Sequence, residues 1–238
     1  MLRPVLARRH DVLPAHPAAS AWEAVIVLGL PVSFFLGRQI WRLVTGGGVA
    51  LRPAFTDSRL LLTLGIELML AAVLLTWLSR RGWRLLAQTG RPTLGDVARG
   101  IALWSALFIV GQVVRMGLYL IALNVLSATQ AAPLSGALSW WTIGAALLIN
   151  PVFEEVLFLG YAIPILERVG GLRLAVIVSV TLRVLVHWNQ GAHALISVLP
   201  FALLFTAYFI RTRRVWPVVV GHIINNAFGL GAFVGGGS

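Results

Sequence analysis

The stretch NPVFEEVLFLGYAIPIL, residues 150–166, carries two adjacent glutamates, Glu154 and Glu155, inside an otherwise apolar run. An ionisable side chain at membrane depth costs about 2.5 kcal/mol or more, so a pair of them indicates a functional site. The plainer alternative is an internal ion pair that only holds helices together. Two further polar clusters favour the functional interpretation: His187 in VLVHWNQG, and His222 with Asn225 and Asn226 in VVGHIINNAFG.

The composition decides the protein class. The 238 residues are 58% hydrophobic and only 11% charged, with a mean hydropathy of +0.88, whereas soluble domains carry about 25% charged residues. Apolar runs that approach the roughly 20 residues needed to cross a bilayer fall at 21–44, 60–78, 100–124, 136–166, 174–190, 193–210 and 215–234. The sequence therefore predicts an all-α integral membrane bundle of about seven transmembrane helices. Pro151 predicts that the long run at 136–166 is either one bent helix or two pieces.

The charge pattern argues against a nucleic-acid partner. The net charge is +11, and all nineteen basic residues are arginines, most of which lie at or near the ends of the apolar runs. Positively charged loops stay in the cytoplasm, which predicts a cytoplasmic amino terminus with seven spans; Arg38, Arg42, Arg52 and Arg59 around the first external loop fit this topology least well. Cysteine is absent, which excludes disulfides, thiolate metal sites and a cysteine nucleophile.

Helical geometry sorts the polar residues into faces. Residues three or four apart share a face, so Glu154 is predicted to share its face with Asn150, Phe158 and Tyr161, and Glu155 to share its face with Leu159. In the same way, His187 shares a face with Arg183, and His222 shares a face with Asn226 and nearly with Asn225. At a rise of about 1.5 Å per residue, Glu154, His187 and His222 lie about 10–20 Å from the cytoplasmic ends of their helices. Polar residues at compatible depths need one another as partners, which predicts that they converge on one cavity.

Such a centre supports three kinds of chemistry. A carboxylate beside an imidazole can activate water as a general base, while a second imidazole and an amide stabilise an oxyanion. The same residues could instead bind zinc, although no HEXXH motif is present. A proton relay in a transporter is a third possibility, which seven spans without a visible repeat fit poorly.

The pattern resembles the CAAX prenyl endopeptidase and bacteriocin-processing family of intramembrane glutamic proteases. That family carries EExxxR, then FxxxH, then HxxxN or HxxxD, and this chain shows Glu154-Glu155, His187 and His222 through Asn226 in the same order. The likeness covers roughly residues 140–230. The resemblance implies that Glu154 and His187 activate the water and that His222 and Asn226 form the oxyanion site.

Two positions depart from the family pattern. Leu159 stands where EExxxR has arginine, and Arg183 stands where FxxxH has phenylalanine. A buried carboxylate without a partner is penalised or becomes protonated, so we expect Arg183 to supply the missing guanidinium to Glu155. The alternatives are that Arg183 snorkels to lipid headgroups, or that the chain is a non-catalytic interaction or immunity factor.

The resemblance also divides the chain. We expect a cytoplasmic tail at 1–20, amino-terminal membrane helices and an interfacial connector at 21–130, the catalytic membrane core at 131–234 and a flexible tail at 235–238. Asn150, Glu155, Arg183 and Asn225 are expected to support the four catalytic residues. The expected partners are a membrane-anchored protein or peptide substrate and the lipid bilayer, and no cofactor, metal ion or nucleic acid is expected. The expected location is the inner (plasma) membrane of a bacterium.

Overall fold

The computed structural model describes residues 20–45, 56–121, 138–187 and 192–235, and throughout these ranges the regular structure is helical, without a strand. The predicted tails at 1–20 and 235–238 fall almost wholly outside this described part. The helices are α1 (Ala21–Val44), α2 (Asp57–Arg80), α3 (Leu85–Thr89), α4 (Leu94–Ile121), α5 (Trp140–Glu155), a π-helical segment (Val156–Ala162), α6 (Ile163–Val186), α7 (Ala192–Thr212) and α8 (Trp216–Gly235).

The molecule is an integral membrane protein with an all-helical fold. Within the described residues, the stretches long and apolar enough to cross a membrane are Ala21–Trp41, Asp57–Arg80, Leu94–Val114 and Trp140–Val186, and Val198–Thr212 is a shorter apolar helix. The number of seven spans stays a prediction. The stretch Trp140–Val186 has 47 residues, about 70 Å at the helical rise, which is more than twice the hydrocarbon thickness of about 30 Å.

Of the two alternatives for the run at 136–166, one bent helix or two pieces, the described part of the run shows no division at Pro151. α5 continues through Pro151 into the π-helical segment and then α6. The break comes later, at Gly170 and Gly171, where the backbone is not helical. Gly171 has φ 83° and ψ 169°, a conformation that is essentially restricted to glycine. This pair of glycines, rather than the proline, interrupts the helical backbone.

Capping side chains fix where α2 and α5 begin relative to each other. Ser139 caps α5 by accepting a hydrogen bond from the backbone N–H of Thr142, at 3.3 Å. The backbone N–H of Ser139 in turn donates to the Asp57 carboxylate at the start of α2, at 2.9 Å. α2 packs along α5, α4 along α8, α6 along α7 and α1 along α6. The packing of α2 against α5 brings a helix from the first half of the chain to the two glutamates.

The surface bears the marks of a bilayer environment. Trp22, Trp41, Trp140 and Trp141 are all more than two-thirds exposed and lie near helix ends, where tryptophans are enriched in membrane proteins.

Between α7 and α8, the Arg214 guanidinium donates to the Asp96 carboxylate at 2.6 and 2.8 Å. These hydrogen bonds raise the pKa of Arg214, so the guanidinium stays charged and its ion pair with Asp96 joins this connection to α4.

Candidate active site

The two adjacent glutamates contact different partners, because neighbouring residues of a helix point about 100° apart. The Glu155 carboxylate is fully buried. Its Oε2 lies 2.7 Å from Arg183 Nη2, and its Oε1 lies 2.8 Å from His222 Nδ1. Glu155 therefore joins α6 and α8 through both of its oxygens.

The Arg183–Glu155 ion pair confirms the pairing expected from the exchanged positions. Both side chains have no solvent exposure. Leu159, which occupies the family's arginine position, is also completely buried and has no charge to offer. The guanidinium carbon of Arg183 lies 5.6 Å from the Phe158 ring centre and 5.4 Å from that of Phe201, distances at which cation–π attraction adds to the stability of the pair.

Glu154 faces Asn150 and His187. Asn150 Nδ2 donates to Glu154 Oε1 at 2.9 Å, and His187 Nε2 lies 3.9 Å from the same oxygen. His187 Nδ1 is 2.8 Å from the backbone carbonyl oxygen of Arg183. A carbonyl can only accept, so Nδ1 carries the hydrogen, and in the neutral ring Nε2 presents a lone pair towards Glu154.

Asn226 reaches the same centre through Asn150. Its Nδ2 lies 3.5 Å from Asn150 Oδ1, at the long end of a hydrogen bond. Asn225, which precedes Asn226 in α8, is half-buried, and its side chain makes no hydrogen bond to any other described residue. The structure thus links the predicted polar residues, except Asn225, through direct contacts, whereas none of them lines the apolar cavity described below. These contacts show that the side chains lie close together and do not by themselves assign a catalytic role to any of them.

One face assignment was wrong. A regular α-helix would place Phe158 on the face of Glu154, yet the Phe158 ring lies against Arg183, the partner of Glu155. The wider turns of the π-helical segment shift the residues that follow the glutamates around the axis. Ser179 Oγ donates to the Phe158 carbonyl oxygen at 2.7 Å, which ties this segment to α6.

Glu67 is a site residue that lies outside the glutamate, histidine and asparagine motifs. For a carboxyl in an early apolar run, the sequence alone predicts a helix–helix hydrogen bond or a place near the membrane interface. Glu67 does make such a hydrogen bond, since its Oε1 accepts from Asn150 Nδ2 at 2.9 Å, but that same amide nitrogen also holds Glu154. The available signal was a lone carboxyl in the middle of an apolar run, LGIELML, which is itself a marker of function in a membrane helix.

A cavity of about 270 Å³ lies beside Glu67, between α2 and the α5–π stretch. Its walls are almost entirely apolar and include Val152, Leu157 and Trp83. On the far side, the Tyr161 hydroxyl donates to Glu23 at 3.2 Å, and Glu23 also pairs with Arg81 at 2.7 Å. The polar centre and an apolar space therefore adjoin each other, and such a combination is typical of ligand sites.

The metal alternative can be compared with the arrangement of the possible ligands. In the described ranges, no three His, Asp or Glu side chains are grouped so that they could hold one ion. Glu155 is already engaged by Arg183 and His222. Binding through Glu154 and His187 would leave a metal with two protein ligands from this set, whereas catalytic zinc sites usually have three.

Comparison with known proteins supplies one finding. No curated protein matches the chain, and no solved structure matches it. The family model described as type II CAAX prenyl endopeptidase Rce1-like matches residues 135–228. This range includes every predicted site residue, whereas Glu67 lies outside it. The resemblance inferred from the glutamate pair, His187 and His222 through Asn226 is thereby confirmed: residues 135–228 carry the signature of the Rce1-like family of membrane proteases.

Proposed function

We propose that the protein is an intramembrane endopeptidase that hydrolyses a peptide bond of a membrane-anchored protein or peptide. The observation that carries the proposal is the pair formed by Glu154 and His187. A carboxylate oxygen and an imidazole nitrogen with a free lone pair face each other at 3.9 Å. Both are acceptors, and a water molecule donating one hydrogen to each would bridge them.

Such a water is prepared for attack. Its two hydrogens point at Glu154 and His187, which leaves its lone pairs for the substrate carbonyl carbon. Glu154 takes one proton as the oxygen–carbon bond forms, and the carbonyl becomes a tetrahedral oxyanion. The proton then passes to the amide nitrogen as the carbon–nitrogen bond breaks. The products are a new carboxyl end and a new amino end, and Glu154 is again ionised.

His222 and Asn226 are assigned to the oxyanion. Glu155 accepts a hydrogen bond from His222 Nδ1, which fixes the orientation of the ring. When the ring is doubly protonated, its Nε2–H is a second donor with a fixed direction. Asn226 Nδ2 provides an amide donor one helical turn further along α8. Donors that are held in place before the reaction act more strongly in a site that excludes water.

Glu155 and Arg183 have a supporting role in this scheme. The Glu155 carboxylate links Arg183 of α6 to His222, and of the two glutamates only Glu154 is without an arginine partner among the described residues. The departure at Leu159 was the main reason to consider a non-catalytic relative. Since Arg183 restores the cation from another helix, that reason no longer favours loss of activity.

The test must find substrates without presuming them. Cells that express the parent protein and cells that express Glu154→Gln are compared by mass spectrometry of the new chain ends in their membrane fractions. We expect a set of ends that appears only with the parent and with Glu167→Gln, a control in which a carboxyl paired with Arg213 is changed outside the site. Peptides spanning those ends should be cut by the purified protein, and cutting should continue in excess chelator.

Identical chain ends in the parent and the Glu154→Gln cells would refute the proposal. Loss of cutting on chelation, with recovery on adding zinc, would replace it with a metal-dependent protease. A farnesylated peptide and its unprenylated form, assayed side by side, then show whether a prenyl group contributes to recognition.

A further inference from the structure

Glu67 is joined to the site by a single amide nitrogen. Asn150 Nδ2 donates one hydrogen to Glu67 Oε1 and the other to Glu154 Oε1, each at 2.9 Å. Glu67 is only 2% exposed. It belongs to α2, which lies outside the part of the sequence that matches the family model. Its presence in the site therefore follows from the packing of α2 in this chain.

The two carboxyls have little else to balance their charge. Oε2 of Glu67 and Oε2 of Glu154 are both buried without a hydrogen bond to the described residues. No arginine in the described part of the chain pairs with either, in contrast to Glu155 and its partner Arg183. The imidazole Nε2 of His187 lies 3.9 Å from Glu154 Oε1. Two buried carboxyls bridged by one neutral amide repel each other when both are ionised, so such a pair keeps one proton.

The surroundings decide which carboxyl holds that proton. Glu67 borders the apolar cavity, where a neutral carboxyl is more stable than a charged one. Glu154 has the imidazole of His187 beside it. We propose that Glu67 is a positioning residue that carries the proton of the pair and, through Asn150, holds Glu154 ionised and aimed at His187. The consequence for catalysis rests on the proposed function, whereas the protonation itself does not.

Two substitutions separate the parts of this role. Glutamine has the shape of a protonated glutamate and keeps the oxygen that accepts from Asn150, so Glu67→Gln should retain cleavage within about tenfold of the parent. Leucine removes the acceptor and frees Asn150. A misplacement of about 1 Å at a catalytic group can reduce turnover about 100-fold, and we expect a loss of this size in Glu67→Leu, in kcat rather than KM.

The deciding measurement needs no substrate. Infrared spectra of the full-length protein in lipid nanodiscs, made with isotope-labelled glutamate, show the carbonyl stretch of a protonated carboxyl near neutral pH. We expect this band in the parent and in Glu154→Gln, and its loss in Glu67→Gln. Glu23→Gln is the matched control, since Glu23 is an equally buried carboxyl outside the Asn150 bridge, and it should leave the band in place.

Three results would overturn the inference: no protonated band in the parent, a band that disappears in Glu154→Gln instead, or Glu67→Gln as inactive as Glu67→Leu. Failure of the proposed function is distinguishable, because it would show as absence of cleavage in the parent while the infrared band still followed Glu67. Thermal unfolding of each variant identifies any that is simply misfolded.

Discussion

Glu154 and Glu155 show how two identical neighbours acquire different chemistry from their partners. Glu155 has both oxygens bound by Arg183 and His222, so it is fixed in place and chemically occupied. Glu154 keeps Oε2 without a hydrogen bond to the described residues and has a ring nitrogen nearby. A carboxylate acts as a base only when it can take a proton, and of the two Glu154 meets that condition.

The first prediction concerns the buried ion pair. Removing one partner leaves an uncompensated buried charge, which typically costs about 3–5 kcal/mol. Arg183→Leu should therefore unfold at a much lower temperature in detergent than the parent. The double variant Leu159→Arg with Arg183→Phe, which returns the cation to the family's position, should recover part of the loss.

A double-mutant cycle between Glu155 and Arg183 checks the cause of that instability. The two residues lie 2.7 Å apart, so their effects should be strongly non-additive. Additive effects within about 0.5 kcal/mol would mean that they are energetically independent and would contradict the pairing.

At this scale the sequence was informative where a charge had to be balanced. The pairing of Arg183 with Glu155 followed from one unpartnered carboxylate and one displaced cation. The inclusion of Glu67 could not be deduced in the same way. It lies 83 positions from Asn150, and only the packing of α2 on α5 brings them together.

Some features of the secondary structure, too, could be predicted from the sequence and others could not. Five of the seven apolar runs fall largely on one helix each, namely α1, α2, α4, α7 and α8, because hydrophobic length is a direct sequence signal. The runs at 136–166 and 174–190 fall instead on the continuous stretch of α5, the π-helical segment and α6. The π-helical segment was not foreseen, since nothing in the composition of VLFLGYA distinguishes wide turns from normal ones. The bend was expected at Pro151, and the break at Gly170 and Gly171 was not predicted. A membrane helix accommodates a proline when neighbouring groups satisfy the freed carbonyl.

The second prediction tests the break in the helix at Gly170 and Gly171. Gly171 has φ 83° and open space around its Cα hydrogens, so a side chain there is opposed by the backbone alone. Gly171→Ala should lower the free energy of unfolding by about 1–3 kcal/mol. Gly144→Ala is the matched control, since Gly144 also has open space around it but lies within helix α5. Equal melting temperatures for the two variants would contradict the assignment.

At the scale of the whole molecule, α4 and α8 hold the first half of the chain against the core. A Cβ atom at Gly100 would lie 2.5 Å from Val220 Cβ and 2.8 Å from the Pro217 carbonyl oxygen. The two backbones therefore approach each other more closely than a side chain permits, as at many helix contacts in membranes.

The third prediction follows from this contact. Gly100→Ala overpacks the interface and should cost about 1–3 kcal/mol, measured by thermal unfolding in detergent. Gly111→Ala, on the same helix with no atom within 4 Å of its Cβ position, should leave the melting temperature near that of the parent. A Gly100→Ala protein as stable as Gly111→Ala would show that the helices are further apart.

The fourth prediction concerns topology. With a cytoplasmic amino terminus and seven spans, a reporter fused after Ser238 should lie outside the cell and one inserted near Arg213 should lie in the cytoplasm. Reporters on the same side would show that the number of crossings in the second half differs from the prediction. The depths estimated for Glu154 and His222 would then need revision.

The displaced cation has a consequence for how related chains are detected. The motif EExxxR describes a bond along one helix, but Arg183 reaches Glu155 from 28 positions away. Any text search that demands arginine four residues after the second glutamate would discard this chain. A spatial query, asking for a buried guanidinium within hydrogen-bond distance of that carboxylate from any helix, would retain it. A linear signature would therefore miss any chain in which this contact is made from another helix.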